Sequence, residues 1–170
     1  SKAISAHARA LGFRLFITDD RAEFANEERF PEADMLVAKK PDEALTELPI
    51  TPNTFIIVAT RGHRFDNVAL AAAANTPARY VGLMGSRRKT ILIYEDLVRM
   101  GIPIDRIREI RSPIGLDISA RTPEEIAVSI MAEVLMFRLG GTGHPMKLDQ
   151  RQIDRIVQKV QSEKIAAVAD

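Results

Sequence analysis

Hydrophobic positions along the chain fall into two alternating rhythms. Short apolar runs at residues 13–18, 35–38, 55–59 and 79–84 read as strands; the run at 13–18 is apolar enough for burial on both faces, and that at 55–59 is a continuous run of buried parallel type. Between them the spacing becomes helical. Ile4, Ala8 and Leu11 share a face that stops at Gly12. Helices are predicted over 41–48 behind Pro41, over the alanine-rich stretch 67–74, and over 86–100 before Gly101. Residues 21–31 break both rhythms and read as a polar loop anchored by Phe24 and Phe30, while 107–110 is predicted to be a last short strand. Thr122-Pro123-Glu124-Glu125 is a capping-box start for a helix to Leu139, burying Ile126, Ile130, Val134 and Leu135.

Strands alternating with helices imply a parallel sheet with right-handed crossovers, and ligands of such sheets bind at the carboxyl ends of the strands. Helix, glycine, strand and the acids Asp19-Asp20 form the second half of a βαβ nucleotide-binding unit, in which the acid can hold a ribose hydroxyl. The first strand and glycine-rich turn of that unit are expected ahead of Ser1. Residues 1–139 read as one domain, 140–147 as a glycine-rich linker, and 148–170 as a separate amphipathic helix with Ile153, Ile156, Val157 and Val160 on one stripe.

Three polar clusters fall on the predicted rim. At 80–89 a strand breaks at Gly85 and a helix starts at Ser86 with Arg87, Arg88 and Lys89 in its first turn. Helix starts carry unpaired N–H groups and partial positive charge, so cations there are unfavourable unless an anion arrives. The segment therefore reads as a phosphate-binding turn, against the plainer alternative of a solvated basic turn. Thr60, His63 and Asp66 follow the strongest strand and are candidate ligand contacts or a proton-relay pair. Asp66 is also a natural cap for the helix behind it. Asp117 sits in the apolar loop 113–118, either closing a pocket or fixing the loop. Glu124 and Glu125 read as cap residues, and His7 and His144 as ordinary surface or half-buried histidines.

Composition narrows the partners. A net charge of +1 supplies no field for general nucleic-acid or membrane-surface binding. With no cysteine the chain has no disulfide framework, thiol nucleophile or cysteine-ligated metal, which fits an intracellular, cytoplasmic setting. One histidine beside one aspartate falls short of a metal site, and Ser86 lacks the G-x-S-x-G elbow of a hydrolase.

Four ordered blocks together are similar to the XdhC/CoxI family: Asp19-Asp20-Arg21-Ala22-Glu23-Phe24-Ala25-Asn26 with Glu28-Arg29-Phe30-Pro31; residues 80–89; residues 113–118; and residues 122–130. The resemblance implies an α/β fold with a Rossmann-like, doubly wound parallel sheet, here without its first strand and with an extra C-terminal helix. It implies an accessory chaperone of xanthine dehydrogenase-type molybdenum hydroxylases, not itself an enzyme. Such a factor binds molybdenum cofactor, a phosphorylated pterin, and delivers it with a cysteine desulfurase as sulfurating partner, as a homodimer. Asp19, Arg21, Thr60, His63, Asp66, Gly85, Ser86, Arg87, Arg88, Lys89 and Asp117 would contact that cofactor. Where the family has T-H-x-H this chain has Thr60-Arg61-Gly62-His63, so any role needing both histidines is lost. An NAD(P)-binding oxidoreductase and a regulatory nucleotide-binding module are the competing readings.

Overall fold

The computed structural model describes the backbone of residues 2–60 and 63–169, and the side chains among them except at 63–64 and 165–169. In chain order the elements are α1 (Lys2–Ala10), β1 (Phe16–Thr18), β2 (Met35–Val37), α2 (Pro41–Glu47), β3 (Phe55–Val58), α3 (His63–Ala74), β4 (Tyr80–Leu83), α4 (Arg87–Arg99), α5 (Ile104–Glu109), α6 (Pro123–Leu139) and α7 (Gln150–Ala169). The fold is a Rossmann-type α/β domain, as the family resemblance implies, and its strands and helices alternate as the sequence rhythm implies.

All strand pairs are parallel. β1 pairs with β2 in the register Phe16 to Met35, and β3 pairs with β4 in the register Phe55 to Tyr80. The expected single sheet is instead two two-stranded ladders, with no ladder joining β1 to β3 among the described residues. On its far side β4 is flanked by Arg111, which accepts from Leu83 N–H and donates to Val81 O, both at 2.9 Å.

Alternation along β3 and β4 builds two apolar layers. Ile56, Val58, Val81 and Leu83 face α3, α4 and α5, where they meet Leu70, Ile93, Leu97 and Ile107. Phe55, Ile57 and Tyr80 face α1 and α6, where they meet Ala8, Ile130, Met131 and Val134 together with Leu15. This second layer links the two strand pairs, and Phe13 stands edge-on to Phe55 at 5.9 Å between ring centres.

Helix ends follow sequence closely. Ser86 Oγ accepts from Lys89 N–H at the start of α4. Thr122 and Glu125 form both halves of a capping box on α6, which ends at left-handed Gly140. Four expectations are corrected. Residues 107–110 are not a strand: Ile107 lies in α5, because Ile104 and Ile107 recur at helical spacing behind Pro103, and pairing with β4 begins only at Arg111. The first strand is confined to Phe16–Thr18 and is not buried on both faces. α3 starts at His63 and not at 67, so Asp66 lies inside its first turn and does not cap it. In α6, Ile130 and Val134 are buried, but Ile126 and Leu135 are only half-buried.

Candidate functional site

The turns after β3 and β4 meet through one buried carboxylate. Asp66 is fully buried (0% exposed), accepts a 2.7 Å hydrogen bond from the Thr60 hydroxyl, and forms an ion pair with Lys89. Parallel pairing carries both strands to the same rim, so a side chain from the first turn of α3 reaches one from the first turn of α4. Thr60, Asp66 and Lys89, expected only to share a rim, are in direct contact. The pairing also changes the role of Lys89, whose charge balances Asp66 within the fold instead of standing free at the helix start. The side chain of His63, together with Arg61 and Gly62, lies outside the described residues.

Arg87 and Arg88 are exposed, as is Ser86. Neither arginine makes an ion pair or hydrogen bond among the described residues, and the first turn of α4 holds no acid. Two unneutralised guanidinium groups therefore flank a helix start whose partial charge is also positive. At Gly85, an added Cβ would approach Lys89 Cδ to 3.3 Å, so the glycine lets the lysine stem lie close against the turn.

Asp19 and Arg21 form a separate cluster at the end of β1. Asp19 Oδ1 accepts from Arg21 Nε at 2.9 Å and Oδ2 from Arg21 Nη2 at 3.0 Å, a bidentate pair. The Arg21 guanidinium lies 3.6 Å above the Phe24 ring centre. No described contact joins this cluster to Arg87 or Arg88. Asp117 is exposed and accepts from Ser119 N–H at 3.3 Å, fixing its own loop.

Glu133 is the residue that sequence reading passed over. Buried on α6, it accepts from the Tyr80 hydroxyl at 2.8 Å and from Gly115 N–H at 2.7 Å, clamping the 113–118 loop onto β4. Burial, and then the bond to Glu133, hold the Tyr80 hydroxyl far above the usual phenol range. A glutamate at an inward position of an apolar helix stripe was the available signal. The same loop presses Ile114 onto Gly82, where any Cβ would collide with the isoleucine side chain.

A family model described as the XdhC Rossmann domain matches residues 1–134. The chain belongs to the XdhC family. Three curated relatives are similar to this XdhC domain. Escherichia coli (strain K12) YqeB is 34% identical over 144 residues, 84% of this chain and 26% of that protein. A Bacillus subtilis (strain 168) protein, named as a probable xanthine dehydrogenase subunit, is 33% identical over 127 residues, 75% of this chain and 36% of that protein. The molybdenum cofactor insertion chaperone PaoD of Escherichia coli (strain K12) is 30% identical over 90 residues, 53% of this chain and 28% of that protein. A solved structure described as a xanthine dehydrogenase from Bacillus halodurans superposes with a TM-score of 0.72 at 27% identity, covering 82% of this chain and 41% of that one. The XdhC domain thus spans about a quarter to a third of the length of these curated relatives. Among the described residues, no helix is long and apolar enough to cross a membrane.

Proposed function

We propose that this XdhC domain takes part in delivering molybdenum cofactor to a xanthine dehydrogenase-type enzyme, gripping the cofactor's phosphate at the start of α4. The observation that carries the reading is the pair Arg87 and Arg88, exposed and without an acidic partner among the described residues, at a helix start that lacks an acid. Two guanidinium forks suit a phosphate, which they can bind bidentately. The residues present therefore fit the phosphate end of such a cargo. Ser86 fixes the helix start, and the Asp66–Lys89 pair fixes the turn beneath it. Two relatives, one named a molybdenum cofactor insertion chaperone, the other a probable xanthine dehydrogenase subunit, support the choice of cargo. Asp19, Thr60, His63 and Asp117 remain the proposed contacts for pterin or ribose groups. Sulfuration by a cysteine desulfurase, assembly as a homodimer and a cytoplasmic location belong to the same proposal.

Calorimetric titration of the purified domain with molybdopterin, NAD and AMP tests the reading. Molybdopterin binding that disappears in Arg87→Ala/Arg88→Ala is the expected result; binding of NAD alone would overturn it.

A further inference from the structure

Arg29 is an arginine without a counterpart. Its neighbours in the same part of the fold are paired: Arg21 with Asp19, and Arg9 with Asp34 at 3.2 Å. The Arg29 guanidinium makes no hydrogen bond or ion pair among the described residues, and its Nε is shielded from solvent. A shielded N–H left without an acceptor carries its full desolvation penalty, which native folds rarely leave unmet. Its one described side-chain contact is with the Phe24 ring, 4.7 Å from Cζ to the ring centre. An aromatic face attracts the positive charge but offers the N–H groups no lone pair.

The same arginine lines an open pocket of about 150 Å³ between the first turns of α1 and the segment leading into β2. Leu15, Ile17 and Phe30 give it an apolar floor. Its other polar members are Lys2, Ser5 and Glu32. Ser5 Oγ already donates to Lys2 O at 2.9 Å, and Lys2 and Glu32 are both exposed, so the half-buried Arg29, with its shielded and unmet Nε–H, leads the recognition chemistry and Lys2 adds charge at the rim. We infer that this pocket is an oxyanion site: Arg29 and Lys2 hold a phosphate or carboxylate group, with any small apolar body resting on Leu15, Ile17 and Phe30. The site shares no residue with the start of α4 and does not depend on the reading given above for that helix.

Titration of the intact chain with inorganic phosphate, followed by nitrogen-edited NMR of the arginine side chains, tests this. The Arg29 Nε–H resonance is expected to shift saturably, and to do so equally in Arg87→Ala/Arg88→Ala, which removes the other anion site. Arg29→Met should weaken phosphate binding at this pocket about tenfold or more, and Arg29→Lys should restore part of it. An Arg29 resonance that stays still while the backbone amides of residues 86–89 move would overturn the inference. So would unchanged phosphate affinity in a folded Arg29→Met chain.

Discussion

β4 and β1 are parallel strands of one fold with opposite settings. Every residue of β4 is buried, between β3 on one side and Arg111 on the other. No residue of β1 is buried, and its ladder has a partner on one side only among the described residues. The polar groups that follow each strand differ in the same way. Beyond β4 the turn is tied to the neighbouring helix through a fully buried carboxylate. Beyond β1 the acid and the arginine bond each other, two residues apart, and need little from the rest of the domain. Long-range burial positions the first cluster, and local pairing positions the second.

The largest expected effect strikes the loop laid on β4. Gly115 has φ +106°, and a side chain there would collide with Ser129 Oγ. Gly115→Val should lower unfolding stability by about 4 kcal/mol, from strain and overpacking combined, as read by the denaturant midpoint. Next, Lys89→Met strands Asp66 as a buried unpaired carboxylate. A loss of about 2–4 kcal/mol is expected, trimmed because Lys89 is partly exposed, and Asp66→Asn in the same chain should recover much of it. Tyr80→Phe deletes one of the two donors to Glu133 and should cost about 1–2 kcal/mol. Asp19→Ala should cost only about 0.5–1 kcal/mol, since that pair is local and partly solvated. An Asp19→Ala loss as large as that of Lys89→Met would erase the contrast between the two strands.

Acid titration sharpens the same contrast from the β1 side. The backbone N–H of Leu15, bonded at 2.7 Å, and then Arg9 and Arg14, hold the Asp34 carboxyl below the usual aspartate range. A carboxyl lowered in the folded state contributes stability above its unfolded pKa and loses that contribution as pH falls through the folded value. Asp34→Asn should therefore flatten the fall in melting temperature below about pH 4 and leave the curve near neutrality parallel to the parent's.

Much of this was legible in the residues themselves. Ser86, Thr122, Glu125 and Gly140 announce helix ends by local chemistry, and the structure places them there. The runs in β3 and β4 announce strands because each is apolar at every position. Residues 107–110 misled because four positions bounded by β-branched isoleucines are too few to display either rhythm, and only the packing of α5 against the core decides. The Asp66–Lys89 pair could not be read because 23 positions separate two polar residues that ordinarily face water, and nothing local marks them as partners. Glu133 was hidden for a related reason, since its partners Tyr80 and Gly115 come from elsewhere in the chain. Cap chemistry is local, whereas the electrostatics of the candidate site are long-range.

The Thr60–Asp66–Lys89 chain has a mechanical consequence. Its three members belong to the loop after β3, the first turn of α3 and the first turn of α4, and the shared carboxylate has no water to fall back on. Parting either helix start from the other would leave that carboxylate short of a partner, so one buried group hinges the two starts together.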